Sequence, residues 1–160
     1  MKNFKIEIKW GLLFVLAGLL WMLFEKSMGW HDALIADHAW YTNLFAFVAI
    51  LIYVLALKDK KKNFYDGRMT WQQGFISGVV ITAIVALFAP ISQYVTATYI
   101  SPEYFNNMIA YSVDNSTMSQ EQAEAYFNLK SYVIQAIFGA LAMGVVTSAI
   151  VAFFVKSKKI

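Results

Sequence analysis

Residues 40–71 read WYTNLFAFVAILIYVLALKDKKKNFYDGRMTW. From Trp40 to Leu57 there is no charge; Lys58-Asp59-Lys60-Lys61-Lys62 then follows without transition. At ~1.5 Å per residue, a helix of that length covers most of a ~30 Å hydrocarbon core. A lysine cluster at its end is the usual stop at the lipid headgroups. The stretch therefore predicts a transmembrane helix over about 40–57, followed by a basic loop that reaches Arg68. Asp66-Gly67 marks a turn in that loop. Thr70 is placed to cap a new helix, with Gln73 at its third position.

Outward from this segment lie three more apolar runs, over about 8–24, 71–100 and 132–155. The first has the basic start and short apolar stretch of a signal peptide. No A-x-A-like site follows Phe24, however, so it is read as a retained span with Trp10 and Trp21 at its interfaces. The third is longer than the hydrocarbon requires. Its last part (Ser92, Gln93, Thr96, Thr98, Tyr99) is polar, which predicts a helix projecting from the membrane. Pro90 leaves the Ala86 carbonyl without its helical donor, so a kink is expected there. The expected fold is all-α: one membrane domain over 1–160, with four transmembrane helices in two hairpins and an extracytoplasmic amphipathic helix within 101–130.

Charge is sorted between these runs. Of the 13 lysines and arginines, all but Lys26 and Lys130 fall at the N-terminus (Lys2, Lys5, Lys9), in the Lys58–Arg68 loop, or in the tail (Lys156, Lys158, Lys159). Of the 10 acids, all but Glu7, Asp59 and Asp66 fall in the other two segments, from Glu25 to His38 and from Ser101 to Lys130. By the positive-inside rule this places both termini in the cytoplasm. Composition agrees: 14% of residues are charged and 59% hydrophobic, against about 25% and about 45–50% in soluble domains. The pI near 9.0 does not imply nucleic acid, because the cations flank apolar spans instead of forming a stripe. They read as topology signals and contacts for anionic membrane lipids. The chain has no cysteine, which excludes disulfides, zinc–thiolate sites and iron–sulfur clusters.

Small residues recur every fourth position on two spans: Gly74, Gly78, Thr82, Ala86 and Pro90, then Ala136, Ala140, Gly144, Ser148 and Ala152. Such ridges let backbones approach closely in lipid. They predict tight packing of the third span on the fourth, or else a contact with another protomer. In the first outer loop, His31 and His38 are seven apart and would share one face of a helix, with Asp32 and Asp37 nearby. Two histidines without a fixed third ligand are a weak metal signature. The segment is read as an interfacial helix with Trp30, Leu34 and Ile35 in lipid. No metal and no cofactor is expected. Ser101-Pro102-Glu103 has the form of a helix start, and Tyr104, Phe105, Met108, Ile109 and Tyr111 follow with helical spacing. Pro102, Glu103, Tyr104 and Phe105 are the candidate recognition surface. Ser119-x-x-Gln122 is a capping box for a helix expected to run unbroken into the last span.

No span has an ionisable residue at its centre, where carriers and pumps usually keep one. Phosphate-loop, nucleophile-elbow, zincin and dinucleotide motifs are absent from the sequence. The loop Tyr65-Asp66-Gly67-Arg68-Met69-Thr70-Trp71, its continuation Gln73-Gly74-Phe75, and Tyr99-Ile100-Ser101-Pro102-Glu103-Tyr104-Phe105 resemble the bacterial membrane family catalogued as domain of unknown function 4199. The likeness spans essentially the whole chain. It implies a small integral protein of the bacterial inner membrane and transfers no residue role. The expected function is a non-enzymatic membrane protein, either a homo-oligomer or an accessory subunit of an envelope complex, whose partner is itself or another membrane protein. The alternatives are a small oligomeric transporter or channel for a neutral or apolar solute and, third, an enzyme acting on lipid at the outer interface through Glu103, His31, Asp32 and His38.

Overall fold

The computed structural model describes residues 4–158; Lys2 and Lys159 of the charge pattern lie outside them. Every element among the described residues is helical. Helix α1 is Lys5–Ser27. The second crossing is composite: α2 (Ile35–Tyr41), a 3-10 turn (Thr42–Leu44) and α3 (Phe45–Asn63). The third is α4 (Trp71–Val95), closed by a π turn over Thr96–Ile100. Two short helices, α5 (Tyr104–Asp114) and α6 (Gln120–Tyr126), precede the fourth crossing, α7 (Leu129–Val155). Four helical segments (5–27, 35–63, 71–100 and 129–155) are long and apolar enough to cross a bilayer. The chain is an all-α, multi-pass membrane protein. Its two ends are called here basic (the termini and the 58–68 loop) and acidic (α2, α5 and α6).

Local chemistry sets most boundaries. Thr70 accepts from the Gln73 amide at 3.1 Å while the Gln73 side chain accepts from the Thr70 amide at 2.8 Å. This reciprocal cap is worth about 1 kcal/mol. Asp66 and Gly67 take positive φ (48° and 83°) in the turn before it. Ser119 and Gln122 form the same box, but their helix does not continue into the membrane. Asn128 takes an extended conformation and its Oδ1 accepts from the Ser131 amide at 2.9 Å, so it starts α7 afresh. Nor does Ser101 cap α5, which begins at Tyr104. Its hydroxyl is committed to a histidine instead. Helix α4 runs through Pro90 without interruption.

The two small-residue ridges meet within one chain. A Cβ on Gly74 would touch Ala152, one on Gly78 would touch Ser148, and one on Gly144 would touch Thr82. The pairs run antiparallel in register and bring the α4 and α7 backbones together. Thr82 Oγ1 donates to the Gly78 carbonyl (3.0 Å) and accepts from the Tyr53 hydroxyl (2.7 Å), tying α3 to the seam. The fully packed core lies around this seam in the basic half: Tyr53, Ala56, Leu57, Met69, Ile81, Val151 and Ala152. In the acidic half the same ridges open. Ala136 and Ala140 of the α7 ridge, with Ala89 beside the α4 ridge, line a cavity there.

Candidate functional site

Two buried polar clusters mark the two ends of the bundle. At the basic end Lys60 Nζ lies 2.9 Å from Glu7 Oε1, both almost fully buried, and Ser77 Oγ donates to the same carboxylate. Lys60 also sits 3.7 Å over the Phe64 ring. The lysine run is thus not uniformly a headgroup signal: one of its members turns inward to neutralise a carboxylate of α1. Burial, reinforced by the negative Glu7 nearby, holds the adjacent Tyr65 phenol above its ordinary pKa.

The acidic-end cluster begins in the last turns of α1. Trp21 and Glu25 are four apart and share a face; the indole Nε1 donates to Glu25 Oε1 at 2.5 Å. Gly29, at φ 79°, lets the chain reverse, and the Leu34 amide closes the turn on the Gly29 carbonyl. The reversal lays His31 over Glu25, and α2 brings His38 to the same place. His31 Nε2 is 3.1 Å and His38 Nε2 3.3 Å from Glu25 Oε2. The other ring nitrogens are also held: His31 Nδ1 by Ser101 Oγ at 2.6 Å, His38 Nδ1 by the Tyr104 hydroxyl at 3.2 Å. Tyr104 meets Tyr132 of α7 at 3.3 Å, and Asn107 of α5 donates to the His31 carbonyl. Glu25 is 0% exposed and His31 4%. With both rings as Nε2–H tautomers, each nitrogen and hydroxyl of this network has a matched partner.

Helix α5 is therefore a lid over the cluster. Of the expected recognition surface, Tyr104 is buried among the two histidines, while Pro102 and Glu103 border an opening to the exterior. Burial, then the neighbouring Tyr132 phenol and the Glu25 carboxylate, push the Tyr104 phenol far above its ordinary value, which is about 10. Tyr104→Phe should accordingly leave unchanged the phenolate absorbance gained as the folded protein titrates around pH ~10. Loss of one phenol's share of that signal would contradict this burial.

A cavity of about 290 Å³ lies between α1, α3, α4 and α7 in the acidic half, lined by Phe14, Gly18, Phe45, Val85, Ala89 and Ala140 among others. Met22, Thr42, Gln93 and Thr96 also line a second cavity of about 190 Å³, which ends on His31, His38, Ser101 and Tyr104. An apolar chamber thus leads to a polar head. Ser101, His31 and Glu25 stand in the order hydroxyl–imidazole–carboxylate. The backbone amides that would accompany a nucleophile at Ser101 are not free: the Ser101 amide is spent on the Thr96 carbonyl at 2.8 Å, and the next residue, Pro102, has no N–H.

His31 and His38 do meet, with ring centroids 5.1 Å apart, but across a turn instead of along one helix face. Trp30, expected in lipid, is buried and stacks on Tyr41. Their common partner, Glu25, reads in the sequence as a loop charge at the end of the first span. The signal for it was the Trp21/Glu25 spacing: an acid one turn beyond an aromatic donor is on a face that packs. The acids beside the histidines in sequence, Asp32 and Asp37, take no part in the cluster.

No match was found among curated proteins or among solved structures. A family model described as "Protein of unknown function (DUF4199)" matches residues 9–157, the span over which the Tyr65–Phe75 and Tyr99–Phe105 motifs lie. The chain carrying this lidded, two-chambered site is a member of the DUF4199 family.

Proposed function

We propose that this protein is a non-enzymatic membrane protein that binds an amphipathic small molecule, its apolar part between the helices and its polar head at His31, His38, Ser101 and Tyr104. The carrying observation is the continuity of the two cavities through Met22, Thr42, Gln93 and Thr96. A largely apolar concavity with a few convergent polar groups is the usual form of a small-molecule site. The fully buried Leu57 and Ile81 below it favour a dead-ended binding chamber over a through-channel. The spent amide at Ser101 and the absent one at Pro102 favour binding over acyl chemistry. The charge pattern supports a bacterial inner-membrane location with the basic end in the cytoplasm, so that the chamber draws on the outer leaflet.

In the basic half the small-residue ridges, which offered one route to self-association, are occupied between α4 and α7. The residues named for the ligand site all come from one chain. Purification from native membranes in mild detergent, followed by native mass spectrometry, tests the reading. A bound amphiphile of defined mass is expected. Ala140→Phe should displace it by filling the chamber while the helical content is kept. A wild-type protein that carries no amphiphile and takes up none from added lipid extract overturns the proposal. The same spectra report assembly: a stoichiometric second protein makes this chain its accessory subunit, and a homo-oligomer makes the site a repeated one.

A further inference from the structure

We infer that Glu25, His31 and His38 form a binding site for a divalent transition-metal ion, zinc in the first instance, with the Glu25 carboxylate and the two Nε2 atoms as its protein ligands. Zinc is held tetrahedrally at about 2.0–2.1 Å from imidazole nitrogen and carboxylate oxygen, so neighbouring ligand atoms sit about 3.3 Å apart. The Glu25–His31 and Glu25–His38 separations are 3.1 and 3.3 Å, and all three ligand atoms lie within 4.8 Å of one another. Two imidazoles and one carboxylate form a donor set that suits zinc and leaves a fourth position open. Two of the three ligands, His31 and His38, line the chamber beside Tyr104, from which a fourth ligand would come.

The surrounding shell is what a metal site needs. A ligating histidine donates its second ring N–H to a fixed acceptor, which sets the tautomer. Ser101 Oγ and the Tyr104 hydroxyl already hold both Nδ1 atoms. A hydroxyl can donate or accept. When Nε2 turns to the metal and the ring proton moves to Nδ1, Ser101 and Tyr104 reverse from donor to acceptor without moving. Tyr104 then donates its hydroxyl hydrogen bond to the Tyr132 oxygen. Trp21 fixes the other carboxylate oxygen. Charge points the same way. Glu25 is fully buried, and its neighbours Trp21, His31 and His38 carry no permanent charge. A buried carboxylate is costly without a cation. An entrance exists as well: a cleft of about 290 Å³, bordered by Asp32 and Glu103 and by one cation, Lys26, reaches His31 and Ser101 from outside the bundle.

The inference stands apart from the amphiphile, because the metal is read with the chamber empty or filled and Ala140→Phe should leave it intact. The test uses the full chain in mild detergent, carrying a histidine-free tag, washed with chelator and titrated with Co2+ and then Zn2+. One Co2+ per chain is expected, with the visible absorption of a low-symmetry site, displaced by Zn2+. Glu25→Gln and His38→Ala should each lower affinity by more than ~100-fold, and Ser101→Ala by ~10–100-fold. Absence of stoichiometric binding by the wild type overturns the inference. So does affinity unaltered in folded Glu25→Gln and His38→Ala. Where those variants do not fold, X-ray absorption of the wild-type zinc form decides: two imidazoles with oxygen donors support the site, and a shell with one imidazole or none overturns it.

Discussion

Gly78→Leu is expected to destabilise the bundle by about 3 kcal/mol or more, the upper end of overpacking effects. The reason is backbone proximity. A Cβ at position 78 would lie 2.6 Å from the Ser148 Cβ and 3.2 Å from its Cα. Rotating the serine side chain relieves neither contact, so α7 must move away from α4. Movement there propagates. Thr82 sits one turn along the same ridge and meets Gly144, and its hydroxyl holds Tyr53 of α3. Separation at 78 therefore loosens the third helix of the core as well. In lipid, no hydrophobic gain offsets lost packing, because the tails are as apolar as leucine. Gly139→Leu supplies the control, since nothing lies within 4 Å of a Cβ placed there on α7, the helix that Gly78 packs against. Thermal unfolding in detergent should show a large drop for the first variant and little change for the second. Equal melting temperatures would refute the seam as the bundle's organising contact.

The contrast between positions 78 and 139 shows what a sequence reveals of such a fold. Spacing alone marks Gly74, Gly78, Gly144 and Ser148 as a ridge, because small residues four apart fall on one helix face whatever surrounds them. The crossings are legible for the same reason: hydropathy over a helical length is a local property. So are the caps at Thr70 and Ser119, which need only three residues. Legibility ends where a residue's role depends on a distant element. Glu25 has the look of a loop charge until His31, His38 and Ser101, up to 76 positions away, are brought around it. Ser101 has the look of a helix cap until His31 takes its hydroxyl. Ser119 caps a helix, but only the conformation of Asn128 decides that this helix stops at Tyr126. The cavity is least legible of all. Ala136 and Ala140 continue the ridge in perfect period and still line a cavity, because what faces a ridge is set by the other helices and not by its own period.

Lys60→Met should cost about 3–5 kcal/mol, the penalty of leaving a buried carboxylate without its cation. Glu7 and Lys60 are 1% and 3% exposed, and their contact joins the start of α1 to the end of α3. Removing the ammonium leaves Glu7 with the Ser77 hydroxyl, a dipole that cannot balance a full charge in a low-dielectric setting. Methionine keeps the length of the side chain and its packing on Phe64, so the loss reports charge rather than volume. Lys62→Met removes the same charge from the same run at an exposed position. It should fall within about 0.5 kcal/mol of the parent, as surface substitutions usually do. This comparison separates the ion pair from any effect on membrane topology. The pair itself need not be stabilising in net terms. Desolvating two charges offsets much of their attraction, and apolar replacements of buried pairs are often neutral or better. Glu7→Leu combined with Lys60→Met should therefore recover most of what the single change loses. A double variant no more stable than Lys60→Met would mean that the lysine acts through its other contacts, Phe64 among them, and that Glu7 is not its main electrostatic partner.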